Sequence, residues 1–297
     1  MMIFFTVVLP VLVVFMVGYV VQKWRKIDIK SVSTVSIYIL IPSLIFRTFY
    51  TADLNMQYLY MVVFALILLF LLILIGKIYA RIRKYDSNTE SALILTTAFM
   101  NSGNYGTPII LFAFGEIGFA FSVSFMVLQS IIMNFFGVYY AARGKAGISV
   151  ALRSVMAMPA TYAVVLALLF QTFNVHLPEN LFNTIDMVAN AAIPTVMIIL
   201  GMQLAMIEWG DFEWGKISYG VIVRLIASPL IAWGVVSLFP LDPILAKVLI
   251  VSYAMPSAAT IVMYAVEFDA KPRLVSSTTL ISTLLSVVTL TILLQWM

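Results

Sequence analysis

The sequence predicts an all-α membrane protein with ten transmembrane helices, arranged as two inverted five-helix repeats. Its composition identifies the solvent: 63% of the residues are hydrophobic, 10% are charged, and the mean hydropathy is +1.08. These values leave too little polar surface to cover a soluble fold of 297 residues. The number of apolar segments predicts the number of transmembrane helices, and a set of matched prolines predicts that a half-length unit occurs twice.

Ten apolar runs are each long enough to cross a bilayer, since about 20 residues of α-helix span the hydrocarbon core. We number them spans 1 to 10: 3–22, 31–50, 57–79, 89–114, 117–140, 150–172, 179–206, 215–239, 242–266 and 273–296. Span 1 lacks a basic region and a small-residue cleavage site, so we expect a retained helix and not a signal peptide. Cysteine is absent, which excludes disulfides and thiolate metal sites.

Six of the eleven prolines form two matching sets, in which each member of the first set has a counterpart about 150 residues later. The pairs are Pro10 and Pro159, Pro42 and Pro194, and Pro108 and Pro256. Around one pair the neighbouring residues also agree, with IPSLIF at 41–46 matching IPTVMI at 193–198. Because proline removes a backbone donor from a helix, matched prolines predict a duplicated unit, with repeats at residues 1–145 and 146–297.

Fourteen of the seventeen basic residues flank span ends that share one side of the bilayer. They are Lys23, Arg25, Lys26, Lys30, Lys77, Arg81, Arg83, Lys84, Arg143, Lys145, Arg153, Lys216, Lys271 and Arg273. Short cytoplasmic loops are rich in such residues, so we expect a plasma-membrane protein with both termini outside. With five spans in each repeat, the second repeat must enter from the opposite side. We favour topology and lipid contact over nucleic-acid binding for these clusters.

Spans 4 and 9 are interrupted at matching places. Span 4 contains TTAFMNSGNYGTP from Thr96 to Pro108, and span 9 contains SYAMPSAAT from Ser252 to Thr260. Irregular backbone at membrane depth is tolerated only where protein or a water-filled cavity satisfies it, so both segments should face inward. We expect Pro108 and Pro256 to begin the half-helices that follow. Two helix N-termini would then point at one midplane region and favour an anion there.

Kinked helices without a ligand are the alternative, since Gly and Pro are common in transmembrane helices. Matched interruptions in an inverted repeat, one of them containing Asn101 and Asn104, instead favour the binding site of a secondary carrier. No carboxylate lies near either interruption, and Asp186 in span 7 is the deepest acidic residue. A cation or proton antiporter would need buried carboxylates, so an organic anion is the predicted substrate. Sodium coupling through carbonyls and hydroxyls stays open, as does a channel, whereas HExxH and GxSxG enzyme motifs are absent.

Arg224 in span 8 is the one basic residue that is clearly within the membrane. It lies about two and a half turns from Lys216, so its side chain could snorkel to the cytoplasmic surface. A bond to a helix-end carbonyl and direct contact with the substrate are the two other interpretations.

Motifs around these residues resemble those of the auxin efflux carrier family, which includes the plant PIN-FORMED carriers and many bacterial permeases. The first crossover of the family resembles NSGNYGTPIILFAFG from Asn101 to Gly115, and its second resembles YAMPSAATIVMYAVEFDA. VLQSII at 127–132 is similar to a motif with a binding-site glutamine, here Gln129. TVVLPVLVVFMVGYVVQKW and YILIPSLIF resemble the family's opening, so the resemblance covers essentially the whole chain.

This resemblance implies a scaffold domain of spans 1, 2, 6 and 7, with a homodimer through spans 2 and 7. It also implies a transport domain of spans 3–5 and 8–10 that moves as an elevator, with a carboxylate bound where the broken helices 4 and 9 cross. The candidate substrate-binding residues are Asn101, Asn104, Gly106, Pro108, Gln129, Pro256, Ser257, Thr260 and Ser43. No metal or other cofactor is expected. A sodium-coupled carrier similar to bile-acid carriers is the main alternative, ahead of a channel or a receptor.

Two departures from the plant members affect the expected substrate. The long cytoplasmic loop is replaced by a short basic link around Arg143 to Arg153. Plant members also have an acidic residue in helix 3, whereas Leu59 to Ile75 contains none. Proton involvement and auxin itself are therefore open, and bacterial relatives are often linked to malate, malonate or similar carboxylates.

Overall fold

The computed structural model describes residues 2–53, 55–142, 147–206 and 212–297, and these residues form helices and short connections without a β-strand. The predicted repeat boundary at residues 145 and 146 lies outside these ranges, as do the basic loop residues Arg143 and Lys145.

Sixteen α-helices follow one another in the described parts of the chain. They are α1 Leu9–Arg25, α2 Ile29–Val35, α3 Ile41–Thr51, α4 Met56–Ile82, α5 Ser87–Ala98, α6 Thr107–Ile132, α7 Val138–Ala141, α8 Gly147–Met156, α9 Pro159–Thr172, α10 Glu179–Asn190, α11 Ala192–Ala205, α12 Trp214–Ile222, α13 Ser228–Val236, α14 Pro243–Tyr253, α15 Thr260–Glu267 and α16 Pro272–Gln295. Wider π-helical turns occur at Phe4–Val8, Ser36–Leu40, Ser102–Gly106, Met133–Gly137 and Val223–Ala227.

Seven continuous helical stretches of the described residues are long and apolar enough to cross a membrane. They are Phe4–Arg25, Ile29–Thr51, Met56–Ile82, Ser102–Ala141, Glu179–Ala205, Trp214–Val236 and Pro272–Gln295. The shorter helices α9 and α14 are also apolar. The protein is therefore an all-helical, multi-pass membrane protein, as the composition predicts.

The longest stretch, Ser102–Ala141, folds back on itself at Gly115. This glycine has a φ of 65°, a backbone conformation that residues with a Cβ rarely adopt. The hydroxyl of Ser122 lies 3.3 Å from that of Thr107, so the chain segments on either side of Gly115 pack against each other. This stretch contains the second half of span 4 and all of span 5, and the turn at Gly115 takes the place of a loop between them.

Prolines account for most of the irregular helical turns. Four of the five π-helical turns end two residues before a proline, at Pro10, Pro42, Pro108 and Pro229. Proline cannot donate to the carbonyl four residues earlier and its ring clashes with that carbonyl, and a wider turn relieves both problems. The second-half counterparts lie at helix breaks instead: Pro159 follows residues 157–158, Pro194 follows Ala191, and Pro256 lies within residues 254–259.

The expectation that Pro108 and Pro256 begin their half-helices is wrong. After the first interruption, helical structure resumes at Ser102, six residues before Pro108, because the π-helical turn accommodates the proline. After the second interruption it resumes at Thr260, four residues beyond Pro256. The non-helical parts are therefore Phe99–Asn101 and Ala254–Ala259.

The helices pack in two groups. In the first group α1 packs along α11, and α3 packs along α9 and α10. In the second group α4 packs against α5, α14 packs against α6 and α13, and α16 contacts α5, α12 and α15. An ion pair between Arg47 and Asp186, 2.6 Å apart, joins α3 to α10, so the deepest acidic residue of the sequence has a partner.

Close contact between α1 and α11 depends on two glycines. A Cβ at Gly201 would lie 1.9 Å from the carbonyl oxygen of Phe15, and one at Gly18 would lie 2.2 Å from that of Ile198. The two backbones therefore touch, which is how small residues allow membrane helices to associate.

Candidate functional site

The two non-helical segments pair with each other as a short antiparallel bridge. The amide of Asn101 donates to the carbonyl of Pro256 at 2.8 Å, and the amide of Ala258 donates to the carbonyl of Phe99 at 3.0 Å. Each segment thus satisfies backbone groups that the other leaves without a helical partner, inside a region where unpaired groups are costly. The pairing fixes where the four helix ends of the crossover meet.

Ser257 ties the bridge to the surrounding helices. Its side chain is fully buried, and its hydroxyl donates to the carbonyl of Thr96 in α5 at 2.7 Å. Its backbone amide donates to the hydroxyl of Ser282 in α16 at 3.3 Å. The bridge is therefore hydrogen-bonded to both α5 and α16.

Arg224 caps both helices that end at the crossover. Its guanidinium donates to the carbonyl of Thr97 at 2.8 Å, near the end of α5, and to that of Tyr253 at 2.6 Å, at the end of α14. It also donates to the hydroxyl of Ser228. Helix C-termini carry unpaired carbonyls and partial negative charge, so a forked cation suits both ends at once.

The snorkelling interpretation of Arg224 is therefore wrong, since the side chain has 0% exposure. The carbonyls of two helix ends accept hydrogen bonds from it and replace the water that snorkelling would supply. The interpretation as a bond to helix-end carbonyls is confirmed.

A cavity of about 720 Å³ extends from the crossover to the protein surface. Asn101 lines it, as do residues of α11, α15 and α16. At its outer end are Met206, which is 63% exposed, and Arg273, which is also exposed. These two residues lie at the end of α11 and the start of α16, so the cavity opens on the side of the chain where those helix ends lie.

Two amide side chains in this cavity have unpaired polar atoms. Asn101 is 6% exposed, and its Nδ2 has no hydrogen-bond partner among the described residues. The buried Oε1 of Gln203, from α11, also has none among them. Unpaired buried polar atoms cost about 1–3 kcal/mol each, so a bound polar molecule that pairs with them would recover this cost.

One face of α16 contributes hydroxyl groups. Ser276, Ser277, Thr279 and Thr283 line the cavity. Ala259, the residue before α15, lines it as well, and the structure shows no side-chain cap on that helix. The N-terminus of α15 therefore lies beside the cavity, with the amides of Ile261 and Val262 donating to the carbonyls of Ala258 and Ala259.

The predicted site residues divide between the cavity and the structure that supports it. Asn101 lines the cavity, and Thr260 begins α15 directly beside the cavity residue Ala259. Pro256 and Ser257 are buried in the bridge. Gln129 is buried too, and its amide nitrogen lies 3.4 Å from the hydroxyl of Tyr253.

The remaining candidates lie outside the cavity lining. Asn104 and Gly106 belong to the π-helical turn, and Pro108 lies in the first turn of α6. Ser43 is in α3, and its hydroxyl donates to the carbonyl of Ile39 at 2.8 Å. Sequence reasoning missed Gln203 and the α16 hydroxyls. Their signals were a lone amide in the apolar second half of span 7, residues 191–206, and the serine- and threonine-rich composition of span 10.

Comparison with known proteins agrees with this architecture. The profile of the membrane transport protein family matches residues 3–148 and again residues 145–294. The chain belongs to this family. The family is of the auxin efflux carrier type, so the predicted resemblance is confirmed. The profile matches each half of the chain once, as expected for a protein with two repeated segments.

Two relatives extend over nearly the whole length. An uncharacterized transporter of Methanothermobacter thermautotrophicus is 30% identical over 293 residues, with 95% of each chain covered. An uncharacterized transporter of Methanocaldococcus jannaschii is 28% identical over 294 residues, with 94% of each chain covered. The protein is thus similar to these two transporters over nearly its whole length.

Proposed function

We propose that this protein is a secondary carrier for a small organic anion, a carboxylate, which binds at the crossover of the two interrupted helices. The observation that carries the proposal is Asn101, a nearly buried amide whose nitrogen is unpaired and which lines a cavity open to the surface. Transporter sites typically lie at such broken helices, where free backbone groups and helix ends can contact a ligand.

The charges around the cavity support an anion over a cation. None of the described residues that line it is acidic, and Arg273 lies at its mouth. Two helices restart beside it, at Ser102 and Thr260, and their N-termini carry partial positive charge. Arg224 neutralises the two helix C-termini. Each helix N-terminus can favour an anion by about 0.3–1 kcal/mol, and by up to about 2 when partly buried.

We assign ten membrane crossings in two inverted repeats. The hairpin at Gly115 accounts for the second half of span 4 and for span 5, α8 and α9 for span 6, and α14 and α15 for span 9. Basic residues such as Lys26 and Lys271 then mark the cytoplasmic side of the plasma membrane, with both termini outside. The cavity mouth at Arg273 is on that side, so the structure corresponds to an inward-facing state.

An elevator mechanism fits the packing in two groups. The cavity lies between α11 of the first group and α15 and α16 of the second. Movement of the second group as a unit would carry the crossover across the membrane and expose Asn101 on the other side. The first group would be the fixed scaffold and would form the homodimer through spans 2 and 7, where Tyr38 and Met187 are exposed apolar residues.

Counterflow in proteoliposomes tests the proposal. Vesicles are loaded with unlabelled acetate, malonate, succinate, indole-3-acetate or taurocholate, and entry of a trace of the same labelled anion is followed. A carrier gives transient accumulation that saturates with concentration, whereas a channel gives entry without accumulation. Absence of counterflow with every carboxylate would reject the proposal, and accumulation only in sodium would favour the sodium-coupled alternative.

A further inference from the structure

We propose that Arg273, with Ser276 and Ser277, forms a second anion subsite at the mouth of the cavity. It would hold the carboxylate of the substrate between the cytoplasm and the crossover. The proposal rests on the function proposed above and adds a second station to it. These three residues lie in the first two turns of α16 and line the same cavity as Asn101.

The start of α16 is positively charged and lacks a capping side chain. The helix follows Lys271, which has a φ of 51° and gives no side-chain hydrogen bond to the first turn. Pro272 has no N–H and the amide of Val275 donates to the carbonyl of Lys271, so the amides of Arg273 and Leu274 stay available, and the helix dipole adds partial positive charge. Neither of the two ion pairs found among the described residues involves Arg273, and the hydroxyls of Ser276 and Ser277 make no hydrogen bond to those residues.

At the other end of the cavity, a buried polar group also lacks a hydrogen-bond partner among the described residues. Asn101 is more than nine-tenths buried, and its nitrogen is unpaired. Thr283, which also lines the cavity, lies ten positions after Arg273, about 15 Å along α16 at 1.5 Å per residue, and it follows Ser282, whose hydroxyl accepts from Ser257 in the bridge. A carboxylate of a few carbon atoms cannot bridge such a length. Arg273 and Asn101 are therefore successive stations for one anion.

A guanidinium suits the outer station because it binds a carboxylate through two parallel hydrogen bonds. Arg273 is exposed, so salt screens its interaction more than it screens interactions at the buried crossover. Its contribution should therefore appear in how fast anions enter from the cytoplasmic side. A charged, partly enclosed mouth raises the local anion concentration and the entry rate.

The chain contains no cysteine, so one introduced cysteine can report on anion entry without knowledge of the substrate. Ala259→Cys places a thiol at the inner part of the cavity. Its modification rates are measured in purified, folded protein with two methanethiosulfonate reagents, anionic sulfonatoethyl and cationic trimethylammonioethyl. Both reagents react with the same thiolate, so the ratio of the two rates does not depend on the reactivity of that thiolate. It measures how strongly the cavity favours entry of the anionic reagent over the cationic one.

Arg273→Gln should lower the anion-to-cation rate ratio by about threefold or more, given that charged clefts change encounter rates by about 10- to 1,000-fold. Lys271→Gln is the matched control, because it removes the same charge two residues away from a side chain that does not line the cavity. It should change the ratio much less, and Arg273→Lys should restore most of the preference.

Equal ratios in the Arg273→Gln and Lys271→Gln proteins, or an unchanged ratio in both, would overturn the subsite. The first result would mean that the basic surface as a whole attracts the anionic reagent. The second would mean that neither charge influences its entry. The readout does not require transport, so its failure is separable from that of the carrier proposal. If counterflow is observed but Arg273→Gln does not selectively lower the rate ratio, the carrier proposal stands and only the outer subsite is rejected.

Discussion

The backbone amide of Asn101 donates to the carbonyl of Pro256 at 2.8 Å, and this bond joins two helices that break 155 positions apart in the chain. It places the side chain of Asn101 at the inner end of the cavity, above the helix ends that Arg224 caps. Backbone pairing and the proposed ligand contact therefore meet at Asn101, and the guanidinium of Arg224 lies next to the preceding residue, Met100.

Asn101→Ala should lower anion transport in counterflow by roughly ten- to a hundredfold, since losing a buried amide contact costs about 1–3 kcal/mol. The melting temperature without ligand should stay the same or rise, because the substitution removes a nitrogen that has no partner among the described residues. Asn104→Ala, in the π-helical turn outside the cavity lining, is the comparison and should have the smaller effect. Normal counterflow in a well-folded Asn101→Ala protein would remove Asn101 from the site.

Arg224→Met should strongly destabilise the protein, because it leaves the carbonyls of Thr97 and Tyr253 buried without a donor. Each unpaired carbonyl costs about 1–3 kcal/mol. Arg224→Lys should be intermediate, since one ammonium lacks the fork that reaches both helix ends. Thermal unfolding in detergent gives the order. Arg47→Met, which removes a partly exposed ion pair to Asp186, should cost less, and the reverse order would contradict the capping role.

Transport should not require sodium. Arg224 donates to the carbonyls of Thr97 and Tyr253, which could otherwise coordinate a cation at the crossover. Counterflow rates should agree in sodium, potassium and choline media. Activity restricted to sodium would instead support the sodium-coupled alternative.

Pro256→Ala should impair anion binding more than Pro108→Ala. The new amide would let α14 extend past Tyr253 and displace the carbonyl that holds Asn101. Pro108→Ala only tightens the π-helical turn before α6, where the half-helix has already begun at Ser102. Because the two prolines lie in spans that meet at one crossover, their effects should not add. Pro10→Ala, which also follows a π-helical turn, is the control and should bind the anion normally. Additive losses of binding in the double variant of Pro108 and Pro256 would indicate two separate sites.

Gly201→Ala should destabilise the protein by forcing α1 and α11 apart, since its Cβ would lie 1.9 Å from the carbonyl oxygen of Phe15. Overpacking of this kind typically costs about 1–3 kcal/mol. Gly234→Ala is the matched control, because nothing lies within 4 Å of a Cβ at that position. It should be neutral or mildly stabilising in thermal unfolding, and equal effects at the two glycines would contradict the close contact.

The sequence predicted the membrane environment, the family and the place of both interruptions, because composition and proline position act locally. It misplaced the helix starts, since whether a proline leads to a wider turn or a break depends on what the freed carbonyls meet in space. Pro108 follows a π-helical turn, whereas Pro256 lies in a segment paired with Phe99–Asn101. The role of Arg224 and the exposure of Gln203 to the cavity likewise depend on contacts between distant spans.

Ligand-dependent stability of the purified protein tests the central claim most directly, because a ligand that binds only the folded state raises its stability by mass action. Thermal unfolding is measured against rising concentrations of mono- and dicarboxylates in sodium-free buffer, for the wild type and for Asn101→Ala. We predict that at least one carboxylate stabilises the wild type by about 2.7 kcal/mol at a hundred times its dissociation constant. The same concentrations should leave Asn101→Ala nearly unchanged. Equal stabilisation of both proteins, or of neither by any carboxylate, would contradict an anion site at the crossover.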